Sequence, residues 1–436
     1  MLDPTSLIAS EDDVPARLQP VLLGGDILTY TWARCFHQTY GLRSIVLASS
    51  DAKAISRSSF VDYRTVEGID RDEVCLAELR RVGAELVAQG KVPLVLGTGD
   101  WYARTLSMHK PELSEWYVVP YIDFDLLDEI TQKERFYAIC EELGIPYPKT
   151  WTYDCSDPKV VIPAEEFTYP VIAKPSNSAR YHYADIPNKK KVFTIESAAE
   201  LTELFTNLQK SCYDRELVVQ DLVPGADDGL RSITCFSDAN GDVRVWSTGH
   251  VLLEDHMPTA IGNPVCILLE RNDLIAEQAA RFLKHVGYRG FSNFDVKYDP
   301  RDGSYRFFEV NTRPGRNSFY MTLGGADIVR LIVLEFVLGA PIPEQVACDE
   351  ALYTVVPSYV VRRTVADPAL REKALDLYRR GKASNPMFYG PDSLAHKFWA
   401  RLQYLNQIRK FKRYVWDVAP ATPTTPASPA SPASEA

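Results

Sequence analysis

The sequence lacks the features that mark secreted, membrane-spanning and zinc-binding proteins. Its eight cysteines are scattered and include no C-x-x-C pair, so we expect reduced thiols and neither a disulfide framework nor a structural zinc site. The first twenty residues are acidic and lack a basic segment followed by an apolar one, so we expect no secretion signal. The most apolar run starts at Ile328, but it contains Arg330 and Glu335 and is too short to cross a bilayer. We therefore predict a cytoplasmic protein in which this run is a buried helix.

Positive charge and dinucleotide-binding motifs are also scarce. Lys and Arg number 48 against 58 Asp and Glu, which gives a formal charge of −10, so general binding to nucleic-acid phosphates is not expected. The Gly24-Gly25 pair follows an apolar run, but no G-x-G-x-x-G pattern is present there, which leaves a redox Rossmann enzyme as a distant alternative. Among the seven histidines, His250 and His256 are spaced six apart, and this spacing does not favour a metal site.

What the sequence contains is an ordinary globular composition, with 46% hydrophobic and 24% charged residues. Its 436 residues exceed one ordinary core, so several domains are expected. Apolar runs alternate with helical patterns over residues 21–125, which predicts a small doubly wound α/β domain with its ligand at the carboxyl ends of the strands. Further on, strand patterns joined by turn signals such as Asn240-Gly241 predict a largely antiparallel sheet.

One strand segment, FFEVNTRPG, carries a candidate metal site. Side chains alternate along a strand, so Glu309, Asn311 and Arg313 are expected on one face. Asp295 lies in another strand pattern, FDVKYD, which could bring its carboxylate beside Glu309. Carboxylate and amide oxygens are typical ligands of Mg²⁺, and phosphates and waters would complete the coordination of the ion. The alternative, a solvated strand face with an ion pair, stays open on this pattern alone.

Two lysines are candidates for binding an anion. Lys174 ends the apolar strand pattern VIAKP, where a buried ammonium is costly unless it meets a partner, and phosphate would suit. Lys133 lies in a helical pattern, where a lysine is usually exposed, so the residues around it carry less information.

Taken together, four segments resemble successive motifs of the ATP-grasp carboxylate–amine ligases: VIAKP, LVVQDLVPGADD, FDVKYD and FFEVNTRPGRNSFYMTLGG. The resemblance covers approximately residues 21–340. Within that family, GLRSIVLASSDAKAISRSSFVDYRT, TQKERFYAICEELGIPYPKT and NTRPGRNSFY are most similar to the D-aspartate ligases of peptidoglycan precursor synthesis.

The resemblance implies an α/β (α+β) ATP-grasp fold, in which a doubly wound pre-ATP-grasp domain precedes two lobes that clasp ATP. The expected segments are a polar leader (1–20), the N-terminal domain (21–125), a small central lobe (126–220), a C-terminal lobe with the metal site (221–345), an α/β extension with a basic helix (346–420) and a disordered Pro/Ala/Ser tail (421–436).

The resemblance also implies roles for individual residues. ATP would be bound through its phosphates, adenine and ribose by Lys133, Lys174, Ser176, Gln220, Asp221, Leu222, Val223 and Asp227 or Asp228. Magnesium, expected as two ions, would be held by Asp295, Glu309 and Asn311. Arg313 and Lys174 would be the catalytic residues that stabilise the transferring phosphoryl group.

The reaction that the resemblance implies is amide formation through an acyl phosphate. ATP would phosphorylate the carboxylate of an amino acid, D-aspartate above others, and an amine of a peptide or nucleotide-linked peptidoglycan precursor would displace phosphate. Candidate substrate contacts are Arg231, His250 and Arg316. Alternatives are a ligase that makes a free dipeptide or secondary metabolite, and a catalytically silent nucleotide-binding sensor. Intact Glu309, Asn311 and Arg313 disfavour the sensor, because a pure binder has little need of a complete metal set.

The last helical pattern, around residues 394–416, reverses the charge of the chain. It has no acidic residue between His396 and Arg413 but carries Lys397, Arg401, Arg409, Lys410 and Lys412 among aromatic and aliphatic residues. Such a helix could suit a membrane surface or the diphosphate of a precursor, or it could pack on the core with a solvated basic edge. These alternatives stay open, as does homo-oligomerisation.

Overall fold

A computed structural model describes residues 3–176, 181, 183–190, 192–257 and 260–417, so the predicted tail lies outside the described residues. Three sheets organise this part of the chain: a parallel sheet of four strands, an antiparallel sheet of four strands and a mixed sheet of eight strands.

The first sheet has the strand order β3-β2-β1-β4, with all strands parallel. This confirms the predicted doubly wound arrangement. Its elements are α1 (Val14–Arg17), β1 (Leu18–Leu23), α2 (Ile27–Tyr40), β2 (Ser44–Ala48), α3 (Lys53–Ser56), β3 (Val61–Thr65), α4 (Asp72–Ala88), β4 (Val92–Gly97), α5 (Asp100–Met108) and α6 (Lys110–Leu113). Strand β1 begins before the apolar run that predicted it, because the polar Gln19 pairs through its backbone with β4.

Alternate residues of β1 bury on opposite faces of this sheet. Val21 packs in one core with Leu79 of α4, whereas Leu22 packs in another with Trp32 of α2. The second of these cores continues into the eight-stranded sheet, where the ring of Phe291 lies 5.8 Å from that of Trp32. Helix α2 therefore joins the N-terminal sheet to the large sheet through one apolar core.

The antiparallel four-stranded sheet has the order β5-β8-β6-β7. Its segment of the chain contains α7 (Phe124–Thr131), α8 (Lys133–Glu142), β5 (Thr150–Asp154), β6 (Val171–Pro175), β7 (Phe193–Ile195), α9 (Ala198–Lys210) and β8 (Glu216–Asp221). Helix α9 covers the sheet through Leu201 and Phe205. Helix α8 packs elsewhere, since Phe136 belongs to the core of the large sheet with Phe294.

The large sheet has the order β13-β12-β9-β10-β11-β15-β16, with β14 beside β10. Its long strands pair antiparallel, as predicted, and only the two-residue strands β14 and β16 pair parallel. The elements are β9 (Leu230–Ser237), β10 (Val243–Glu254), β11 (Pro264–Leu269), α10 (Asp273–His285), β12 (Gly290–Asp299), β13 (Ser304–Asn311), α11 (Phe319–Leu323), α12 (Ile328–Ile332), β14 (Gln345–Val346), β15 (Leu352–Thr354), α13 (Ser358–Thr364), α14 (Pro368–Arg379), β16 (Ala383–Ser384) and α15 (Leu394–Phe411).

Short 3₁₀ turns occupy Pro4–Ser6, Glu11–Asp13, Ala164–Glu166 and Asp227–Gly229, and π-helical turns occupy Val333–Leu338 and Lys412–Trp416. The apolar run from Ile328 is a buried helix, as predicted, because Arg330 and Glu335 pair with Glu11 and Arg289. In the part of the chain that the structure describes, no helix is long and apolar enough to span a membrane.

The segment LYTVVPSYVV, residues 352–361, has the apolar and β-branched pattern that predicts a strand, but its structure differs from that prediction. Only Leu352–Thr354 is extended, and α13 begins at Ser358, directly after Pro357. Proline has a backbone that fits the start of a helix but cannot donate to a sheet, so it ends the strand pattern here. The β-branched Val360 and Val361 that suggested a strand are instead buried in the helix.

A substitution at Gly83 tests how closely α4 packs against Trp116 and Tyr117, which precede α7. A Cβ at this position would lie 2.6 Å from Cε2 of Tyr117 and 2.7 Å from Cβ of Trp116. We expect Gly83→Ala to lower the free energy of unfolding by about 1–3 kcal/mol, although alanine favours a helix, because overpacking outweighs propensity. Urea denaturation measures this, and the exposed Ala84→Gly, costing about 1 kcal/mol by propensity alone, is the control. A stabilised Gly83→Ala would contradict the packing.

Candidate active site

Two carboxylates and an amide share one face of the large sheet. Asp295 of β12 lies opposite Glu309 of β13, and Asn293 lies opposite Asn311. The Nδ2 of Asn311 donates a hydrogen bond of 3.2 Å to Oδ2 of Asp295. Cross-strand partners point to the same side of an antiparallel sheet, so the predicted oxygen set of Asp295, Glu309 and Asn311 comes together.

A bulge in β13 separates this polar face from the core. The register shifts after the Asp295–Glu309 pair, so that Phe307 lies opposite Val296 and Phe308 is the extra residue. Phe307 and Val296 are buried in the apolar core, on the other side of the sheet from Glu309. Simple alternation would have placed Phe307 and Glu309 on one face, and the bulge removes that conflict.

The predicted lysines approach the same carboxylate. Lys133 is the first residue of α8, and its Nζ lies 3.8 Å from Oε2 of Glu309. Lys174 is the last residue but one of β6. Burial together with the neighbouring Lys133 ammonium lowers the pKa of Lys174, while Glu309 opposes that shift. Two ammonium groups held this close, one of them mostly buried, form a site for an anion with several negative charges.

The donor chemistry of this face fits a hard divalent cation. Burial and the nearby Glu309 carboxylate raise the pKa of Asp295, which shows that the two carboxylates repel each other without a cation between them. No group of three His, Cys, Asp or Glu side chains suited to a metal occurs within the described ranges. One or two carboxylates with an amide are nevertheless the sparse set that Mg²⁺ uses when phosphates supply the other oxygens.

Ser176, the remaining predicted phosphate contact, is fixed by its neighbours. Its hydroxyl donates to Oε2 of Glu216 at 2.8 Å, and its backbone N–H donates to the carbonyl of Glu216 at 2.9 Å. Ser176 directly follows β6, two residues after Lys174, and is the last residue of the described range 3–176.

The face that carries Asp295, Glu309 and Asn311 is called the metal face below, because it is the candidate magnesium site. Arg313 links this face to the N-terminal sheet. Its Nε lies 2.8 Å from Oδ1 of Asp100, the first residue of α5, and its side chain is only 14% exposed. The following Gly315 is required by packing, because a Cβ there would lie 2.6 Å from Oδ1 of Asn317 and 3.0 Å from Oδ1 of Asn293. A tight turn thus holds Arg313 between the sheet with the carboxylates and the N-terminal domain.

A crevice lies at the carboxyl ends of the N-terminal strands, where a ligand was expected. It has a volume of about 320 Å³ and is lined by Gly24, Gly25, Asp26, Ser49, Ser50, Thr98 and Gly99, among others. Gly24 has a φ of +126°, and a Cβ there would lie 2.1 Å from Oγ1 of Thr98, so only glycine fits this turn. Gly99 precedes Asp100, the partner of Arg313, so the crevice adjoins the metal face.

The predicted adenine segment, Asp221 to Val223, begins at the last residue of β8. The buried amide of Gln220 donates to Oη of Tyr137 at 2.8 Å and to Oγ1 of Thr150 at 2.7 Å, so this side chain ties β8 to α8. Burial raises the pKa of Asp221. Leu222 is half-buried and Val223 is buried, and both side chains are apolar. At these two residues only the backbone can hydrogen-bond a ligand.

Of the two predicted ribose contacts, Asp227 belongs to a carboxylate pair. Burial opposes ionisation, but hydrogen bonds from His256 and from the backbone N–H of Glu254 lower the pKa of Asp227 overall. Burial and the Asp227 charge together raise the pKa of Glu254 to about 7. Glu254 also contributes to the raised pKa of Asp295, so this carboxyl lies toward the metal face.

The structure does not bring Arg231 and His250 to the metal face. Arg231 lies opposite Val296, whereas Asp295 lies opposite Ser232, so the two charged residues point to opposite sides of the sheet. Arg231 and Nε2 of His250 both donate to the backbone oxygen of Asp228, at 2.9 and 2.7 Å, and Nδ1 of His250 contacts Glu270. Among the three predicted substrate contacts, Arg316 alone meets the crevice, with its Nε 3.7 Å from Oδ2 of Asp26.

Three residues of this region were not predicted. Asn293 accepts hydrogen bonds from Ser232 and Thr234 and supports the carboxylate face. The sequence does indicate a role for Asn293, because an amide in the apolar strand pattern FSNFD is expected to be buried and hydrogen-bonded. Glu254 at the end of VLLE gave a similar signal. No sequence pattern indicates a role for Asp100, since its partner Arg313 lies 213 residues away in the sequence.

Comparisons with known proteins identify the family and the fold of the chain. Residues 258–343 match the family model described as "Carbamoyl-phosphate synthase L chain, ATP binding domain". The chain is 34% identical over 415 residues to a D-aspartate ligase of Enterococcus faecium, covering 91% of this chain and 96% of that one.

Two solved structures share the fold. An L-amino acid ligase from Bacillus licheniformis superposes with a TM-score of 0.51 at 14% identity, covering 74% of each chain. A biotin carboxylase domain of Hydrogenobacter thermophilus 2-oxoglutarate carboxylase, solved with MgADP and bicarbonate, gives 0.52 at 14% identity over 75% of this chain and 71% of that one.

The fold and these matches define an ATP-grasp ligase, an ATP-dependent enzyme that forms carbon–nitrogen bonds between a carboxylate and an amine. Within that class, the chain belongs to the family of the D-aspartate ligase.

Glu309→Gln tests the carboxylate face. We expect ATP-dependent amide formation to fall by about 100-fold or more, because a charged transition-state ligand is worth several kcal/mol. The unfolding temperature without magnesium should change little, because the relief of Asp295 offsets the loss of the interactions of Glu309 with Lys133 and Lys174. The stabilisation that Mg²⁺ with ADP gives to the wild type should be lost.

The matched control is Glu344→Gln, since Glu344 is 77% exposed and pairs with Arg244 away from this face. It should leave both activity and Mg²⁺-dependent stabilisation unchanged. Activity of Glu309→Gln within about tenfold of wild type would contradict the assignment, because a lost metal ligand should cost more than ~1.4 kcal/mol.

Proposed function

We propose that this ligase transfers the γ-phosphoryl group of ATP to a carboxylate of D-aspartate and joins the resulting acyl phosphate to an amine of a peptidoglycan precursor peptide. The observation that carries the reaction is the convergence of Lys133 and Lys174 on the Asp295–Glu309 face. The choice of D-aspartate rests on the similarity to the Enterococcus faecium enzyme over nearly its whole length.

In this proposal, ATP lies between the β5–β8 sheet and the large sheet. Lys133, Lys174 and Ser176 bind its phosphates, the backbone from Asp221 to Val223 binds adenine, and Asp227 or Asp228 binds ribose. Gln220 positions this segment through its hydrogen bonds to Tyr137 and Thr150. Magnesium, which Asp295, Glu309 and Asn311 would hold, supplies neutralisation of the charge on the phosphates.

Arg313 and the N-terminal crevice bind the amino acid. When the carboxylate oxygen attacks the γ-phosphorus, the bond to ADP breaks and an acyl phosphate forms, and Lys174 and Arg313 compensate the charge on the phosphoryl oxygens. The amine then adds to the acyl carbon, and the C–O bond to phosphate breaks with loss of the amine proton. Phosphorylation thus replaces oxide, a poor leaving group, with phosphate.

The free-dipeptide ligase is the competing function that a specific observation favours, because the Bacillus licheniformis L-amino acid ligase shares the fold. The two functions differ in the acceptor. A kinetic comparison of free amino acids with a stem pentapeptide as acceptors, at one D-aspartate concentration, separates them. Higher kcat/KM for the pentapeptide is the expected result.

Isotope transfer tests the acyl phosphate. With D-aspartate whose carboxylates carry ¹⁸O, one label per turnover should appear in the released phosphate, because the attacking oxygen stays on phosphorus when the C–O bond breaks. Mass spectrometry of phosphate, ADP and AMP measures this.

Label in AMP, or unlabelled phosphate during amide formation, would refute the mechanism. L-aspartate with the same label is the control for the donor, and it should give little labelled phosphate. Equal transfer from both isomers would refute the assignment of D-aspartate while leaving the acyl phosphate intact.

A further inference from the structure

A second cavity, which we call the α15 cavity, lies beside the N-terminal crevice and uses the C-terminal extension as one wall. It has a volume of about 320 Å³. Its polar lining comes from three parts of the chain and includes Asp26, Asp255, Arg316, Gln403, Gln407 and Lys410. The matched family segment ends at residue 343, so the α15 wall is a feature outside that segment.

The α15 cavity is connected to the proposed reaction centre. Gly25 and Asp26 line both this cavity and the N-terminal crevice. Arg316, which also lines the cavity, follows Arg313 by three residues in the turn after β13. The α15 cavity therefore adjoins the N-terminal crevice, which is the proposed binding site of the amino acid.

The charges that line the α15 cavity pair with one another. Arg316 lies 3.7 Å from Asp26, and Nζ of Lys410 lies 3.0 Å from Oδ2 of Asp255. The neutral lining is partly engaged as well, since Asn263, Asn385 and the Tyr404 hydroxyl bond to Ala260, Met387 and Tyr378. What remains for a ligand among the described residues is the set of neutral amides of Gln403, Asn406 and Gln407. A free amino acid or a diphosphate would require unpaired charges, whereas backbone amides of a peptide match neutral hydrogen-bonding groups.

Gln407 gives independent support. Its Oε1 is buried and has no hydrogen-bond partner in the described part of the chain. A buried acceptor without a partner costs about 1–3 kcal/mol, so it calls for an N–H or O–H donor from a ligand. We propose that the α15 cavity binds the peptide portion of the amine acceptor, with Gln407 and Gln403 as specificity residues. This inference rests on the proposed function.

Hydroxylamine separates acceptor binding from the first chemical step. It is small enough to trap the acyl phosphate as a hydroxamate without occupying a peptide site. For Gln403→Leu/Gln407→Leu, we expect the KM for a stem pentapeptide to rise at least tenfold. The KM values for ATP and D-aspartate, measured by hydroxamate formation, should stay within twofold of wild type. Gln89→Leu, on the exposed end of α4, is the control and should change none of these.

Each result decides between assignments. A raised KM for D-aspartate would make the α15 cavity a donor site, and unchanged kinetics throughout would exclude it from substrate binding. Absence of hydroxamate from wild-type enzyme would refute the proposed function. Calorimetric binding of the free pentapeptide, which needs no turnover, then still tests the cavity: equal affinity in wild type and variant would overturn the inference.

The outward face of α15 carries a separate inference. Leu394, Phe398, Leu402 and Leu405 are 42–83% exposed and recur every three or four residues, so they form one stripe. Arg401, Arg409 and Lys412, all exposed, fall on the same side of a regular helix. The opposite side packs on the core through His396, Ala400 and Phe411, so among the described residues nothing buries the outward face.

We infer that this face binds an anionic lipid surface. A protein partner would have to match an apolar stripe and several cations at once, whereas the headgroup region of an acidic bilayer supplies both environments. The cations of this helix complement the negative charge of the lipid headgroups. The rest of the chain, whose total charge is −10, would be repelled by an anionic bilayer.

Vesicle co-sedimentation tests the lipid face. Binding is expected with vesicles containing 30% phosphatidylglycerol and not with pure phosphatidylcholine, and Phe398→Ser/Leu405→Ser should reduce bound protein at least fivefold. The control Val161→Ser removes an even more exposed apolar side chain elsewhere and should bind normally. Equal binding by the double variant, or no binding to either vesicle, would overturn the inference.

Discussion

The repulsion between the Asp295 and Glu309 carboxylates is the interaction around which the rest of the site is arranged. Cross-strand pairing holds the two groups on one face, while Lys133 approaches from α8 and Lys174 from β6. Neither the carboxylates nor the ammonium groups satisfy one another fully. A cation beside the two carboxylates and an anion beside the two ammonium groups would each relieve a repulsion, which is the electrostatic basis of the proposed binding of ATP with magnesium.

Much of the fold could be predicted from local patterns. Alternating strands and helices gave the N-terminal parallel sheet, and turn signals gave the antiparallel order of the large sheet. The pattern failed where local and tertiary preferences conflict. The segment after Pro357 is rich in β-branched residues but forms a helix, and α8 packs on the large sheet although it precedes the small one.

The candidate site was predictable to the extent that its residues lie on regular strands. Glu309 and Asn311 follow from alternation along one strand, and Asp295 follows from a second strand pattern that could lie beside it. Lys174 follows from the cost of burying its charge. Arg231 and His250 were chosen for their charge alone, and the register of β9 directs them away from Asp295. Asp100 could not be found, because only tertiary structure brings it to Arg313.

The division of the apolar cores has a consequence for how the molecule opens. Trp32 and Phe291 belong to one continuous core, so the N-terminal sheet and the large sheet must unfold together. The β5–β8 sheet has a separate core built around Val171 and Leu201. It is therefore a distinct cooperative unit whose backbone amides should exchange with solvent through a low-energy opening of their own, leaving the other two sheets protected.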